Sequence, residues 1–314
     1  MNTHSPLVSI ALCTYNGQNH LTEQLDSLVN QTYTQVEIIV VDDQSNDNTV
    51  KIVEQYQKKH PHIHLTVNPE NLGYQKNFEK AFALCKGEYI CPSDQDDIWM
   101  PNKVALMVEE IGDHLLIYHD SAFVSARGEL IGLKMSDKLN MVEGKDPTPF
   151  LFFNCVSGHS MMFHRKLLTH ILPLPPYGVY DHYISFIATS TGKIKFIPKA
   201  LVMHRQHEGN ATDILGRKKV KSKINVTLER MQRENHWLKI CADKNLHETS
   251  KLAAELYEAA RQRTDNFINI RFGYLVYKHQ DRLMYIPKNK SFKTISFAIR
   301  QIWGAKAKAL WKRK

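Results

Sequence analysis

The chain has 314 residues, 43% hydrophobic and 23% charged, which suits one large α/β domain with an appendage, or two small domains. No apolar run approaches the ~18 residues that span a bilayer, and five scattered cysteines without a C-x-x-C pair argue for buried thiols in a reducing compartment, against disulfides or a zinc site. The net charge of +9 is concentrated: residues 288–314 hold nine Lys or Arg and no acid, so a basic tail rather than a basic protein needs explaining.

The opening Met1–Pro6 has no basic n-region, and the apolar run after it is short for a signal peptide, so a cytosolic location is expected. Short apolar runs at Leu7–Thr14, Val36–Val41, Ile63–Val67 and Glu88–Cys91 alternate with amphipathic stretches at Leu21–Val29, Thr49–Lys58 and Tyr74–Leu84. That alternation predicts a parallel sheet covered by helices. Pro101 suits the first position of the next helix. Further on, Leu115–Arg127 reads as a strand pair, Ser160–Phe163 as a strand, and the stretch from Gly178 through Asp181 as the opening of a helix. Lys193–Ile197 and Ala200–His204 read as two strands, Gly209–Lys223 as a basic mobile loop, and Ile224–Tyr285 as helical.

The four strand ends carry polar loops: Thr14–Gly17, Asp42–Asp47, Asn68–Gly73 and Asp94–Asp97. Open α/β sheets bind ligands at the carboxyl ends of their strands, so the loops should converge on one site. Three carboxylates in Asp94-Gln95-Asp96-Asp97 repel one another, and the usual counter-charge is a divalent cation such as Mg²⁺. Neither a dinucleotide fingerprint nor a P-loop is present. A nucleoside diphosphate ligand accounts for the four loops together. Asp43 either accepts from a base or ribose hydroxyl, or one of Asp42 and Asp43 caps the helix near Asp47. Lys76 and Asn77 lie just inside the helix after Gly73, facing either ligand or, for Lys76, solvent.

Four strings in order, VSIALCTYNG (8–17), IIVVDDQSNDNT (38–49), Asn71-Leu72-Gly73 with Asn77, and SDQDDIW (93–99), resemble the family 2 glycosyltransferases, over about residues 7–210. SDQDDIW with Arg205-Gln206-His207 looks like the bacterial rhamnosyltransferase-like branch that builds surface polysaccharides such as O-antigen or capsule. The resemblance implies the GT-A fold, a Rossmann-like, mostly parallel central sheet flanked by helices, here with a C-terminal helical extension. It implies residues 1–215 as the transferase domain, with the donor side at about 7–115 and the acceptor side at about 116–215, and 216–314 as a helical region ending in the basic tail. The implied reaction is inverting, non-processive transfer from a nucleotide sugar, dTDP-rhamnose before a UDP-hexose, to a lipid-linked glycan.

By the same resemblance Thr14, Tyr15, Asn16, Gly73, Lys76 and Asn77 line the nucleotide pocket, with Asp43 on base or ribose. Asp96 ligates Mg²⁺ or Mn²⁺, Asp94 meets ribose or metal, and His207 approaches diphosphate or metal. Asp97 either supports these ligands or caps the helix at Pro101. Arg205 suits a bidentate phosphate contact, and Asp120 touches donor sugar or acceptor. Gly158 shapes the acceptor side and His159 is packed. An inverting transfer needs a carboxylate to take the acceptor proton. Asp181, before His182 and Tyr183, matches the family's base, the alternative being a helix N-cap. The stretch from Glu208 to Lys223 either closes over a polyanion or is a solvated linker.

On a helical wheel Phe292, Ile295, Ile299, Ile302, Trp303 and Leu310 share a face spoiled by Lys306, with Lys293, Arg300, Lys308 and Lys312 away from it. This predicts an amphipathic helix on an anionic membrane surface, against a core-packing helix with a basic end, and a peripheral place on the cytoplasmic face of the inner membrane. Nucleic acid is not an expected partner, and Ile224–Tyr285 offers a homodimer contact. Two rival readings are a nucleotidyltransferase and an inactive transferase-like scaffold.

Overall fold

The computed structural model describes residues 5–207, 224–288 and 291–311, with side chains at 5–207, 228–288 and 295–308. The basic stretch 208–223 and the side chains of Phe292, Lys293, Leu310 and Lys312 lie outside the described residues.

The chain begins as a β/α succession: β1 (Val8–Thr14), α1 (Leu21–Val29), β2 (Val36–Asp42), α2 (Thr49–Lys59), β3 (Ile63–Val67), α3 (Tyr74–Leu84) and β4 (Tyr89–Ser93). β3, β2, β1 and β4 lie side by side, all parallel. Each strand end therefore opens on the same edge of the sheet. β1 is buried along its whole length. Ala11 and Cys13 face one hydrophobic cluster, Ile10 and Leu12 the other. A strand covered on both faces has no polar face to present, which is why it reads as a continuous apolar run.

β5 (Ile98–Trp99), α4 (Lys103–Glu110), β6 (Leu116–Ser125), β7 (Leu130–Lys134), α5 (Met135–Lys138), β8 (Met161–His164), α6 (Leu168–Ile171), α7 (Tyr180–Thr191) and β9 (Ile194–Gln206) follow. β8 is antiparallel to β4 and β6, whereas β6 and β9 pair in parallel. Pro101 stands two residues ahead of α4 rather than at its first position. The strand pair expected within 115–127 extends to Lys134, because β6 runs to Ser125 before turning into β7. The two strands expected at 193–204 are one strand. Its register against β6 slips between His119 and Ser121, where Pro198 and Lys199 are accommodated as a bulge. The proline that suggested a break marks the bulge instead.

α8 (Ile224–Lys244), α9 (Thr249–Ala260), α10 (Ile270–Lys278), α11 (Gln280–Leu283), α12 (Ser291–Ile302) and α13 (Ala305–Trp311) complete the fold. Leu238, Leu256 and Phe272 join the same buried cluster as Phe78, Phe163 and Ile184. The helical region thus completes the core on one face of the sheet. The tail is two helices, not one. At Gly304 between them a Cβ would fall 1.9 Å from the Asn266 carbonyl oxygen, so the backbone approaches there and the wheel's single face is split. All five cysteines are buried and free.

Candidate active site

The four loops surround a cavity of about 370 Å³ lined by Thr14, Tyr15, Asp43, Gly73, Asn77, Asp94, Asp96 and, from the second half of the chain, Gly158, His159, Asp181 and His204.

The first loop is tied to the acidic loop by a residue the sequence reading passed over. The Tyr15 N–H donates to Gln95 Oε1 at 2.8 Å, and Gln95 Nε2 donates to the Tyr15 carbonyl at 3.0 Å. A Cβ on Gly17 would lie 2.2 Å from Gln95 Oε1, so Gly17 is what lets the two loops close. Asn16 has φ of 48° and its Oδ1 accepts the Asn46 N–H at 2.9 Å. Thr14 Oγ1 donates to Asp42 Oδ2 at 2.7 Å.

Asp43 accepts from Asn68 Nδ2 and the Leu72 and Gly73 N–H groups, each at 2.8 Å. It fixes the loop between β3 and α3 while remaining in the cavity wall. Asn77 supports it from behind, donating to Val41 O at 2.9 Å and accepting from Asn68 Nδ2 at 2.9 Å. Neither Asp42 nor Asp43 caps α2. The N-cap is Asn48, and Asp47 Oδ1, one residue before it, accepts the Thr49 N–H at 2.9 Å. Lys76 pairs with Glu79 at 2.6 Å on the surface, outside the cavity lining.

Asp97 is fully buried behind the acidic loop. Its Oδ1 meets His204 Nδ1 at 2.9 Å and accepts the Arg205 N–H at 3.1 Å, while Oδ2 lies 3.5 Å from His159 Nδ1. It caps no helix. Burial lowers the His204 pKa, but Asp97 and its hydrogen bond carry the net value above the ordinary one. His159 stacks on His204 at 4.2 Å and stays neutral, its pKa well below normal through burial and the nearby His204 and Lys103. Lys103 holds this group from below, donating to the His159 carbonyl at 2.6 Å and lying 3.1 Å over the Trp99 ring. Burial lowers its pKa to about 7.

Two carboxylates remain at the cavity. Burial, then the charges of Asp97 and Asp96, push the Asp94 carboxyl well above its ordinary value. Asp96 Oδ2 contacts His207 Nε2 at 2.6 Å. Two carboxylates and an imidazole are donor types that a divalent cation takes. Among the described residues, the group whose potential ligand atoms all lie within 4.8 Å of one another is a different one, Asp97, His159 and His204. There, however, the Asp97–His204 hydrogen bond already supplies the opposite charge. Arg205 is buried and braces the acidic loop. Nε donates to Asp96 O at 2.9 Å, Nη1 to Ala126 O at 3.0 Å, and Nη2 pairs with Glu23. Asp120 lies off the cavity, where it accepts from the Ser121 and Ser136 N–H groups at 2.9 and 3.0 Å.

Asp181 lines the same cavity. It occupies the first turn of α7, whose N-cap is Val179, so Asp181 is not the cap. Asn154 Nδ2 and the Gly158 N–H donate to its two oxygens at 3.1 and 3.3 Å. Burial outweighs these bonds and raises its pKa to about 7, the value suited to a general base at neutral pH. Gly158 has no alternative, since a Cβ there would meet Tyr180 Oη at 1.9 Å. Asn154 and the packing of Tyr180 under Gly158 were not visible in the sequence. The partners lie more than twenty residues apart and share no periodic pattern.

The molecule is similar along its length to known proteins. An uncharacterized glycosyltransferase of Nostoc sp., alr2836, is 24% identical over 95% of this chain and 86% of its own. The dTDP-rhamnosyl transferase RfbG of Shigella flexneri is 27% identical over 63% of this chain and 72% of its own. Among solved structures, S. aureus TarS in complex with UDP-GlcNAc superposes with a TM-score of 0.60 at 17% identity, covering 94% of this chain and 88% of that one. The mannosyltransferase PcManGT of Pyrobaculum calidifontis, in complex with GDP-Man and Mn²⁺, gives 0.53 at 18% identity over 99% and 89%. The mixed α/β fold with a C-terminal helical region is that of the GT-A-like transferases. The model of glycosyl transferase family 2 matches residues 9–172, more than half of the chain, and the protein belongs to that family, a glycosyltransferase.

Proposed function

We propose that the protein inverts the anomeric centre of a nucleotide sugar, favouring dTDP-rhamnose, as it transfers the sugar to a lipid-linked glycan of a cell-surface polysaccharide. The observation that carries the chemistry is that Asp181 lines one cavity together with Asp94 and Asp96. The acceptor hydroxyl, held beside Asp181, attacks the anomeric carbon and gives its proton to the Asp181 carboxylate. The bond from that carbon to the diphosphate oxygen breaks on the far side, and the nucleoside diphosphate leaves. Tyr15, Asn16, Asp43 and Gly73 hold the nucleoside end. Asp94, Asp96 and His207 would hold Mg²⁺ or Mn²⁺, which neutralises the charge growing on the diphosphate when bound. The similarity to RfbG supports rhamnose, and the acidic loop and PcManGT support the metal.

The test is transfer from dTDP-rhamnose, UDP-hexoses and GDP-mannose to a lipid-linked acceptor, with and without Mg²⁺ or Mn²⁺. Metal-dependent transfer with inversion is expected. Asp96→Asn should raise the metal concentration needed at least tenfold, an estimate of about the size of losing one ligand. Transfer that survives both Asp96→Asn and Asp181→Asn would overturn the reading.

A further inference from the structure

The charge of the C-terminal region is lopsided. From Asn266 to Lys314 there are twelve Lys or Arg and one acid, Asp281. The structure sets part of that charge around an apolar face. α10 and α12 run antiparallel: the Asn269 N–H donates to Ile302 O at 2.7 Å, the Gly304 N–H to Phe267 O at 2.9 Å, and Ile268 bridges Trp303. They touch at Gly273, where a Cβ would lie 2.3 Å from Ile302 Cγ1. Their inner faces are used by the fold. Phe272 and Val276 are in the core, and Phe297 packs on Phe152 and Phe153 at 6.0 and 5.8 Å.

The outer faces present apolar side chains that stay exposed among the described residues. Ile270, Tyr274 and Tyr277 stand at i, i+4 and i+7 on α10 and are 69%, 59% and 50% exposed. Ile295 and Ile299 stand at i and i+4 on α12, each 50% exposed. Each stripe lies the same way round its helix from the contact line. In an antiparallel pair that brings both stripes out on one side. Phe267 and Ile268, each 52% exposed, extend the patch at one end. Single exposed apolar residues are ordinary, but seven on and beside two packed helices point to an interaction surface. Arg271, Lys278 and Arg300 are exposed on the same helices. Among the described residues no helix is long and apolar enough to cross a membrane.

We propose that the α10–α12 face docks on an anionic phospholipid membrane, with Ile270, Tyr274, Tyr277, Ile295 and Ile299 entering the boundary between headgroups and acyl chains. Arg271, Lys278 and Arg300 meet lipid phosphates around them. Tyrosine suits that depth, with an apolar ring and a polar tip. The charge selects this occupant over a second copy of the chain, because self-association through the face would bring two basic regions together. The surface extends over two helices and does not depend on the tail acting alone. The inference stands apart from the choice of donor.

The test is co-sedimentation of the full chain with phosphatidylcholine vesicles, with and without roughly a third of phosphatidylglycerol, at low and high salt. Binding is expected only to the anionic vesicles, weakened by salt. The double variants Ile270→Glu/Tyr274→Glu and Ile295→Asp/Ile299→Asp should each lose about tenfold or more in vesicle affinity with an unchanged circular dichroism spectrum and thermal midpoint. If one pair disturbs folding, the other decides. No binding to anionic vesicles, or binding that a folded variant retains in full, overturns the proposal. A dimer in solution that the α10 variant dissociates would overturn it too, by assigning the face to a second copy.

Discussion

Asp181 is held by two weak donors in a site dry enough to raise its pKa to about 7. A base must be ionised to take a proton, so transfer should rise with pH through about 7 and level off above it. Stability runs the other way. The folded pKa exceeds the ordinary value of 3.8, so between pH 4 and 7 the folded state holds a proton the unfolded state has released. The contribution of this group to stability therefore falls as pH rises through that window, by at most on the order of 4 kcal/mol. Asp181→Asn should cost roughly 10²–10⁴ in kcat. It should also raise the Tm at pH 8 and do so less at pH 5, measured by calorimetry at both. A Tm unchanged at pH 8 would mean that Asp181 is better solvated than its surroundings imply. At this scale the sequence revealed residue types better than partners. Asp94, Asp96 and Asp181 stood out because acids at strand and helix ends are costly without a reason. The roles of Gln95, Asn154 and Asp97 depend on contacts across long separations, and no local pattern records them. Arg205 and Asp120 lie where the sequence expected a ligand, yet their side chains are engaged by the protein.

The first elements were legible because β1, β2 and β4 are buried on both faces and α1 on one, so the apolar period follows the backbone. What the period could not give is how α7 is steadied. His182 Nε2 is 2.6 Å from Phe150 O, and its ring lies 4.3 Å from that of Trp237 on α8. Trp237 Nε1 donates to the same carbonyl at 3.1 Å and its ring meets Phe186 edge-on. The C-terminal helices thus grip the helix that carries Asp181, one residue from it. Trp237→Ala should lose about 2–4 kcal/mol of stability, below the cost of a fully buried tryptophan because part of the ring is exposed. At a temperature where the variant is folded, kcat should fall while the KM for the donor holds, since the donor loops stand on other elements. Steady-state kinetics separate the two. A change in donor KM alone would show that α8 acts on the nucleotide side instead.

At the scale of the molecule, the proposed reaction would take its donor loops from the parallel half of the sheet and its base, Asp181, from the second half of the chain. A ligand that bridges them joins parts distant in sequence, and it binds only when both halves are folded. Binding should therefore stabilise the whole fold by mass action, by ~2.7 kcal/mol at a hundredfold excess over Kd, or roughly 5 °C for a chain of this size. Metal and nucleotide should be coupled. Asp94 and Asp96 would hold the cation of the proposed reaction, which would offset their mutual repulsion and supply positive charge for the diphosphate. Mg²⁺ or Mn²⁺ alone should give a small thermal shift and a nucleotide sugar alone a small one, with the pair exceeding their sum. The metal shift should grow as pH rises, because burial and like charge raise the Asp94 pKa and protons compete for the site. Asp96→Asn should abolish the excess without lowering the Tm of the free protein. Strictly additive shifts would separate the acidic loop from the diphosphate, and would leave His204 and Asp97 as the reason those carboxylates are gathered.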